Sequence, residues 1–302
     1  MNDAFSTPIT RDGDTLTGPF RHPRQMLGEQ ETGGHRSIHD DDTATTLGLT
    51  AGPIEGPTHF SQFDPLAVEL WGRAWFERGC ISAHFETMVI DGDALQASVT
   101  RTGAESAEGQ VIKTQGERVL VASLTLGDEP TELGARLARM RERDPGALHI
   151  VDRCPVGWRA EPFVASITPA ELNGSLYPFS LDQKLDVITE PSAWYRSAES
   201  SPWGRRIVPT EMISVLAYKS GEHPPVRQPS VGLFIDLEVR RHAPLFVDEE
   251  CSVTREVVCV GQSARVESFW TCSTLADGSG TTLATVLLHE GFFKESFPGY
   301  PS

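Results

Sequence analysis

Apolar residues recur along this chain with two different periods, and the alternation between those periods is its main structural signal. Phe60, Phe63, Ala67, Leu70, Trp71, Ala74 and Trp75 follow three- and four-residue steps, which predicts a helix over 57–76 with one apolar face. Pro65 interrupts it. Asp64 can cap a restart with proline in the first turn, so a kink is expected there. Met212, Ile213, Leu216 and Ala217 mark a second apolar helix over 208–219, stopped by Gly221. Period-two alternation predicts strands at 81–90, 94–101 and 119–126, with Asp91-Gly92-Asp93 as a tight hairpin. It predicts four more at 231–240, 251–260, 264–275 and 281–289, the last ending in a surface histidine, His289. Shorter elements are a strand within 16–26, a helix over 40–47, a helix over 132–143 and a strand over 181–188 in the otherwise irregular stretch 145–205.

The order of elements therefore occurs twice: an irregular lead, a helix, then antiparallel strands. The helix entries are also alike, since Ile54-Glu-Gly-Pro57-Thr58-His59-Phe60-Ser61 is echoed by Ile207-Val-Pro209-Thr210-Glu211-Met-Ile-Ser214. One helix packed on one antiparallel sheet, present twice, is an α+β arrangement. A length of 302 residues is consistent with two units of about 150 residues each.

The candidate chemistry precedes the first long helix. His39 is followed by Asp40, Asp41 and Asp42 on a short helical turn, and Gly52, Pro53 and Gly56 then force a change of direction. A helix start presents unpaired backbone N–H groups, and a base beside such a start suits chemistry next to a carbonyl. His39 and Asp41 are the candidate proton carriers. Gly56, Thr58 and His59 are the candidate binding residues at the helix start. Glu211 holds the place in the second half that matches His59, and can face the same site.

A net charge of −16 argues against a nucleic-acid or anionic-membrane partner. No apolar stretch approaches the roughly 20 residues of a membrane span, and the N-terminus lacks a secretory pattern. The five cysteines form no Cys-x-x-Cys pair, so free thiols in a reducing cytoplasm are expected, with no metal site. Phosphate-loop, dinucleotide and serine-elbow signatures are missing as well.

From Thr32 to Gly56 the chain resembles the MaoC-like (R)-specific enoyl-CoA hydratases and acyl dehydratases of the hotdog superfamily, in fused double-hotdog form. Their signature runs Ser-Gly-Asp-x-Asn-Pro-Ile/Leu-His, then an aspartate, an alanine, a glycine and a Gly-Pro-Ile turn into the hotdog helix. Here the residues are Thr32-Gly33-Gly34-His35-Arg36-Ser37-Ile38-His39-Asp40-Asp41, then Ala44, Gly48 and Gly52-Pro53-Ile54-Glu55-Gly56. The resemblance implies a first hotdog over 1–130, a helical linker over 131–160 and a second hotdog over 161–302. It implies a hydro-lyase acting on an acyl thioester of coenzyme A or a carrier protein. That thioester is substrate, not cofactor, and no cofactor is expected. Fused hotdogs can pair again through sheet edges, so a homodimer is a further expectation. The family's catalytic aspartate falls on Gly34, and only the histidine of the catalytic pair survives, as His39. That departure leaves two alternatives open: a thioesterase or another elimination, isomerisation or cyclisation, and a non-catalytic acyl-binding subunit.

Overall fold

Side chains that alternate between two faces build one continuous antiparallel sheet in the computed structural model, which describes residues 4–301. A hairpin of β1 (Thr10–Asp12) and β2 (Thr15–Thr17) comes first. A separate hairpin follows, β3 (Glu31–Thr32) with β4 (His35–Arg36), and then α1 (Asp41–Thr46). A 3-10 segment, Gly56–Phe63, runs into α2 (Asp64–Trp71) and α3 (Ala74–Arg78). Strands β5 (Gly79–Phe85), β6 (Leu95–Arg101), β7 (Ser106–Lys113) and β8 (Arg118–Leu126) complete the first half, before α4 (Glu132–Arg141). The second half contains β9 (Phe163–Ala165), α5 (Leu181–Val187), α6 (Ala193–Arg196) and α7 (Thr210–Tyr218). It closes with β10 (Gly232–Arg241), β11 (Cys251–Gln262), β12 (Val266–Ala276) and β13 (Thr282–Phe293).

Eleven strands pair in the order β1-β2-β6-β7-β8-β5-β10-β13-β12-β11-β9. The halves meet at β5 and β10, antiparallel, with Ile81 opposite Val239 and His84 opposite Asp236. Ile81, Ala83, Leu237, Val239, Val286 and Leu288 point to the face that carries the 3-10 segment, α2 and α7, and share one core with Phe60, Phe63, Met212 and Ile213. The intervening residues face α4, whose Leu133 and Leu137 pack with Trp270. On that second face His289 is buried rather than at the surface. Its Nδ1 lies 2.7 Å from Asp236, its ring stacks on Trp270, and His84 Nδ1 approaches the other Asp236 oxygen at 2.7 Å. Burial raises the Asp236 pKa, but the bonds from His289 and His84 outweigh it and hold the carboxyl at about 2. The histidine looked exposed because strand 281–289 was expected to end there, whereas β13 continues to Phe293.

Other sequence expectations also change. The expected long helix over 57–76 is three consecutive pieces, and Asp64 makes no capping bond. It turns inward and accepts hydrogen bonds from Trp75 Nε1 at 2.7 Å, the Tyr195 hydroxyl at 2.8 Å and the Thr210 hydroxyl. Arg241 donates to that same Thr210 hydroxyl, so the network ties the two central helices to the sheet. The strand expected over 181–188 is the helix α5. Ser180 and Gln183 form a capping box, and that signal overrides the short apolar alternation. An unexpected strand, β7, is mostly polar. Its Gly109 faces inward where a Cβ would stand 2.8 Å from both Leu124 and Phe63, so the core position carries no apolar side chain to reveal it. All five cysteines are free. Among the described residues no helix is long and apolar enough to cross a membrane.

Candidate functional site

The turn that follows α1 is shaped by close backbone approach. A Cβ on Gly52 would stand 2.1 Å from the His39 carbonyl oxygen, so only glycine lets the two segments touch. His39 Nδ1 then lies 2.6 Å from the Pro53 carbonyl oxygen. A carbonyl only accepts, so Nδ1 carries the proton and Nε2 keeps its lone pair. Burial lowers the His39 pKa, partly offset by the Pro53 bond, so the ring is neutral near pH 7. Ile54 is pinned by a 2.7 Å bond from its N–H to the Val89 carbonyl, and two residues on the 3-10 segment begins.

That segment start supplies fewer donors than a regular helix would. Pro57 has no N–H, and Thr58 N–H is already bonded to the Glu55 carbonyl at 3.1 Å. Among the described residues no acceptor pairs with the Gly56 N–H. A Cβ on Gly56 would come within 2.6 Å of the Phe85 ring. The glycine is therefore required by the phenylalanine packed over it.

A cavity of about 600 Å³ opens beside this turn. His39, Glu55, Gly56 and His59 line it from the first half. Tyr177, Tyr218, His223 and Glu290 line it from the second. His59 is buried with Nδ1 unpaired, and burial, with Lys184 nearby, lowers its pKa to about 3, so it is a neutral ring. Burial pushes the Glu55 carboxyl up to about 7, opposed by Lys184 and reinforced by Glu211, with the Tyr177 hydroxyl beside it.

Three of the sequence candidates lie off the cavity wall. The Asp41 side chain is spent on the Gly52 N–H at 2.8 Å and lines no part of the cavity, so it braces α1 against the turn. Thr58 and Glu211 sit behind the wall around one lysine: Lys184 Nζ is 3.3 Å from Glu211 and 3.4 Å from the Thr58 hydroxyl. Burial pushes Glu211 up to about 7 despite that lysine. One buried cation thus serves two buried carboxylates, Glu55 and Glu211. Gly34 sits in the exposed β3–β4 turn with φ +82°.

Sequence reasoning passed over Glu55 as a spacer inside the glycine turn. Glu290 falls outside the strand expected over 281–289, which ends four residues short of Phe293, the last residue of β13. With β13 extended, Leu288, Glu290 and Phe292 share the inward face, and a carboxylate at such a position is itself a signal.

Solved structures share this architecture over nearly the whole chain. A putative MaoC domain dehydratase from Chloroflexus aurantiacus J-10-fl matches at 13% identity over 97% of this chain and 98% of its own, with TM-score 0.54. A conserved hypothetical protein from Mycobacterium tuberculosis, described as having a double hotdog fold, matches at 14% over 95% and 96%, with TM-score 0.56. The dehydratase domain of PpsC from the same organism, solved in complex with C12:1-CoA, matches at 10% over 95% and 98%, with TM-score 0.52. No family model matches the sequence, and no curated protein matches it. The chain has the double-hotdog fold, with both hotdogs in one polypeptide.

Proposed function

We propose that this chain is a hydro-lyase that hydrates or dehydrates an acyl thioester, with the reacting carbons held between His39 and the Gly56 turn. One observation carries the reading: a neutral imidazole with a free Nε2 and an unpaired helix-start amide belong to the same short turn and line the same cavity. In the dehydration direction, His39 Nε2 takes the proton from the α carbon. Gly56 N–H stabilises the negative charge that develops on the thioester oxygen. The β C–O bond then breaks, and a protonated Glu55 gives its proton to the departing hydroxyl, which leaves as water. Hydration runs the same steps in reverse. Glu55 takes the part that the resemblance assigns to an aspartate at Gly34, and its raised pKa supports a protonated carboxyl near neutrality. Thr58, Lys184 and Glu211 hold that carboxyl's surroundings from behind, and Asp41 holds the turn. The CoA-bound dehydratase domain with the same fold supports a thioester as the ligand class.

The test is turnover of a panel of enoyl- and 3-hydroxyacyl-CoA thioesters, followed by the absorbance of the conjugated thioester. Wild type is expected to interconvert at least one pair, and His39→Ala to lose about 10² to 10⁴ in rate. No turnover by wild type, or an unchanged rate in His39→Ala, overturns the proposal. The bare Gly34 position favours a thioesterase as the second reading, and thiol release read with a thiol dye separates the two.

A further inference from the structure

Within the largely apolar wall that the second half gives the cavity, with Val231, Leu233, Phe269 and Leu288 among its residues, stands a cluster of polar groups. Glu290 projects from the inward face of β13, opposite Phe234 of β10 and Phe269 of β12. Among the described residues burial and the charge of Arg255 act on its carboxylate, and no hydrogen-bond donor does. One carboxylate oxygen is packed over Gly232, where a Cβ would come within 3.1 Å of it. Tyr218, at the end of α7, lines the same part of the cavity, with its hydroxyl 2.6 Å from the Thr271 hydroxyl. Tyr177 lies within electrostatic reach of Glu55, Tyr218 and Glu290, and so links the turn's carboxyl to this group. His223 completes it from the loop after α7.

An alkyl chain laid against Glu290 would strip water from a carboxyl that no protein donor pairs with and return nothing. An anion is opposed by the carboxylate. A cation is opposed by Arg255, whose charge already acts on Glu290 while its guanidinium donates to the Ala217, Ser220 and Glu222 carbonyls. Neither Lys nor Arg is among the residues lining the cavity. A neutral group that both donates and accepts fits what remains. We infer that Glu290, Tyr218, Tyr177 and His223 form a subsite for a hydroxyl carried by the acyl chain, additional to the one eliminated, so that the substrate bears a second hydroxyl on an otherwise apolar chain. This rests on the thioester reading above. Burial pushes the Glu290 carboxyl up to about 7, which lets it donate to or accept from that hydroxyl near neutrality.

The experiment uses saturated CoA thioesters matched in length, one plain and one bearing a single hydroxyl at the γ carbon or beyond. Neither can be hydrated or dehydrated across the α,β bond, and affinity is read by calorimetry. Wild type is expected to bind the hydroxylated thioester at least about tenfold tighter. In Glu290→Leu the ratio falls to near one. Tyr218→Phe, which deletes a single hydroxyl, lowers it part of the way and serves if the leucine variant does not fold. Equal affinities in wild type, or a ratio that neither variant changes, overturn the subsite while leaving the reaction intact. The same comparison with hexane-1,6-diol against hexan-1-ol needs no thioester. A diol preference that is lost in Glu290→Leu, together with no turnover or binding of any thioester, upholds the subsite and overturns the thioester reading. No preference in either pair overturns the subsite.

Discussion

Replacing Asp64 by alanine would test whether one buried carboxylate joins the two central helices. Asp64 is fully buried and accepts from Trp75 Nε1 at 2.7 Å, from the Tyr195 hydroxyl at 2.8 Å and from Thr210, which itself accepts from the buried Arg241. The alanine variant strands these donors in the core. A buried donor left unpaired costs about 1–3 kcal/mol, and removing one side of a buried charged network costs about 3–5 kcal/mol. Partial relaxation overlaps these costs, so a loss of about 4 kcal/mol is expected, against total stabilities of about 5–15 kcal/mol for ordinary domains. Asp64→Asn keeps the Oδ1 acceptor for Trp75 and Thr210 but disturbs the Tyr195 bond and removes the charge facing Arg241, so about 1–3 kcal/mol, less than for the alanine variant, is expected. Urea denaturation at neutral pH, with unchanged slope, measures both. A loss below about 1 kcal/mol for Asp64→Ala would refute the reasoning, because it would mean the donors find water or new partners at little cost.

Three further outcomes follow from the geometry. Gly52→Ala should displace His39, because the new Cβ meets the His39 carbonyl at 2.1 Å. Turnover should fall by at least about 10² with about 1–3 kcal/mol of stability lost, and a rate equal to wild type would contradict it. The pH–rate profile should be bell-shaped: the acid limb follows loss of neutral His39 below pH 6.5, and the alkaline limb follows ionisation of Glu55 near pH 7. An activity still rising at pH 9 would remove Glu55 from its role. Asp236 has its folded pKa lowered from 3.8 to about 2, so its contribution is complete above 3.8 and lost as pH falls towards 2. Acid titration of stability should show that loss in wild type and a flatter curve in Asp236→Asn.

What the chain revealed in advance was its periodic part. The two apolar helices and most strands follow from spacing, since burial on one face dictates residue type there. The double occurrence of that order is visible for the same reason. Local chemistry was read less well. Asp41 looked like a partner for His39 because it stands two residues away, but on a helical turn adjacent positions point apart, and its carboxylate reaches Gly52 instead. Glu211 and Thr58 looked like wall residues from their place at the helix starts, yet Lys184, from a helix mistaken for a strand, draws them behind the wall. Glu290 needed the true end of β13. The Thr58–Lys184 contact joins residues 126 positions apart on different helical segments, and no local pattern encodes such packing.

The seam between β5 and β10 has a consequence for how such a protein can change. When two identical subunits associate about a two-fold axis, every substitution appears twice, once on each side. Here the junction lies within one polypeptide, so each position is altered once. The imidazole can be kept on one side while the opposite wall acquires a carboxyl that its counterpart never has to tolerate. Cutting the chain between the halves would instead bare β5 and β10 as unprotected edges, and the separated pieces should clump rather than work.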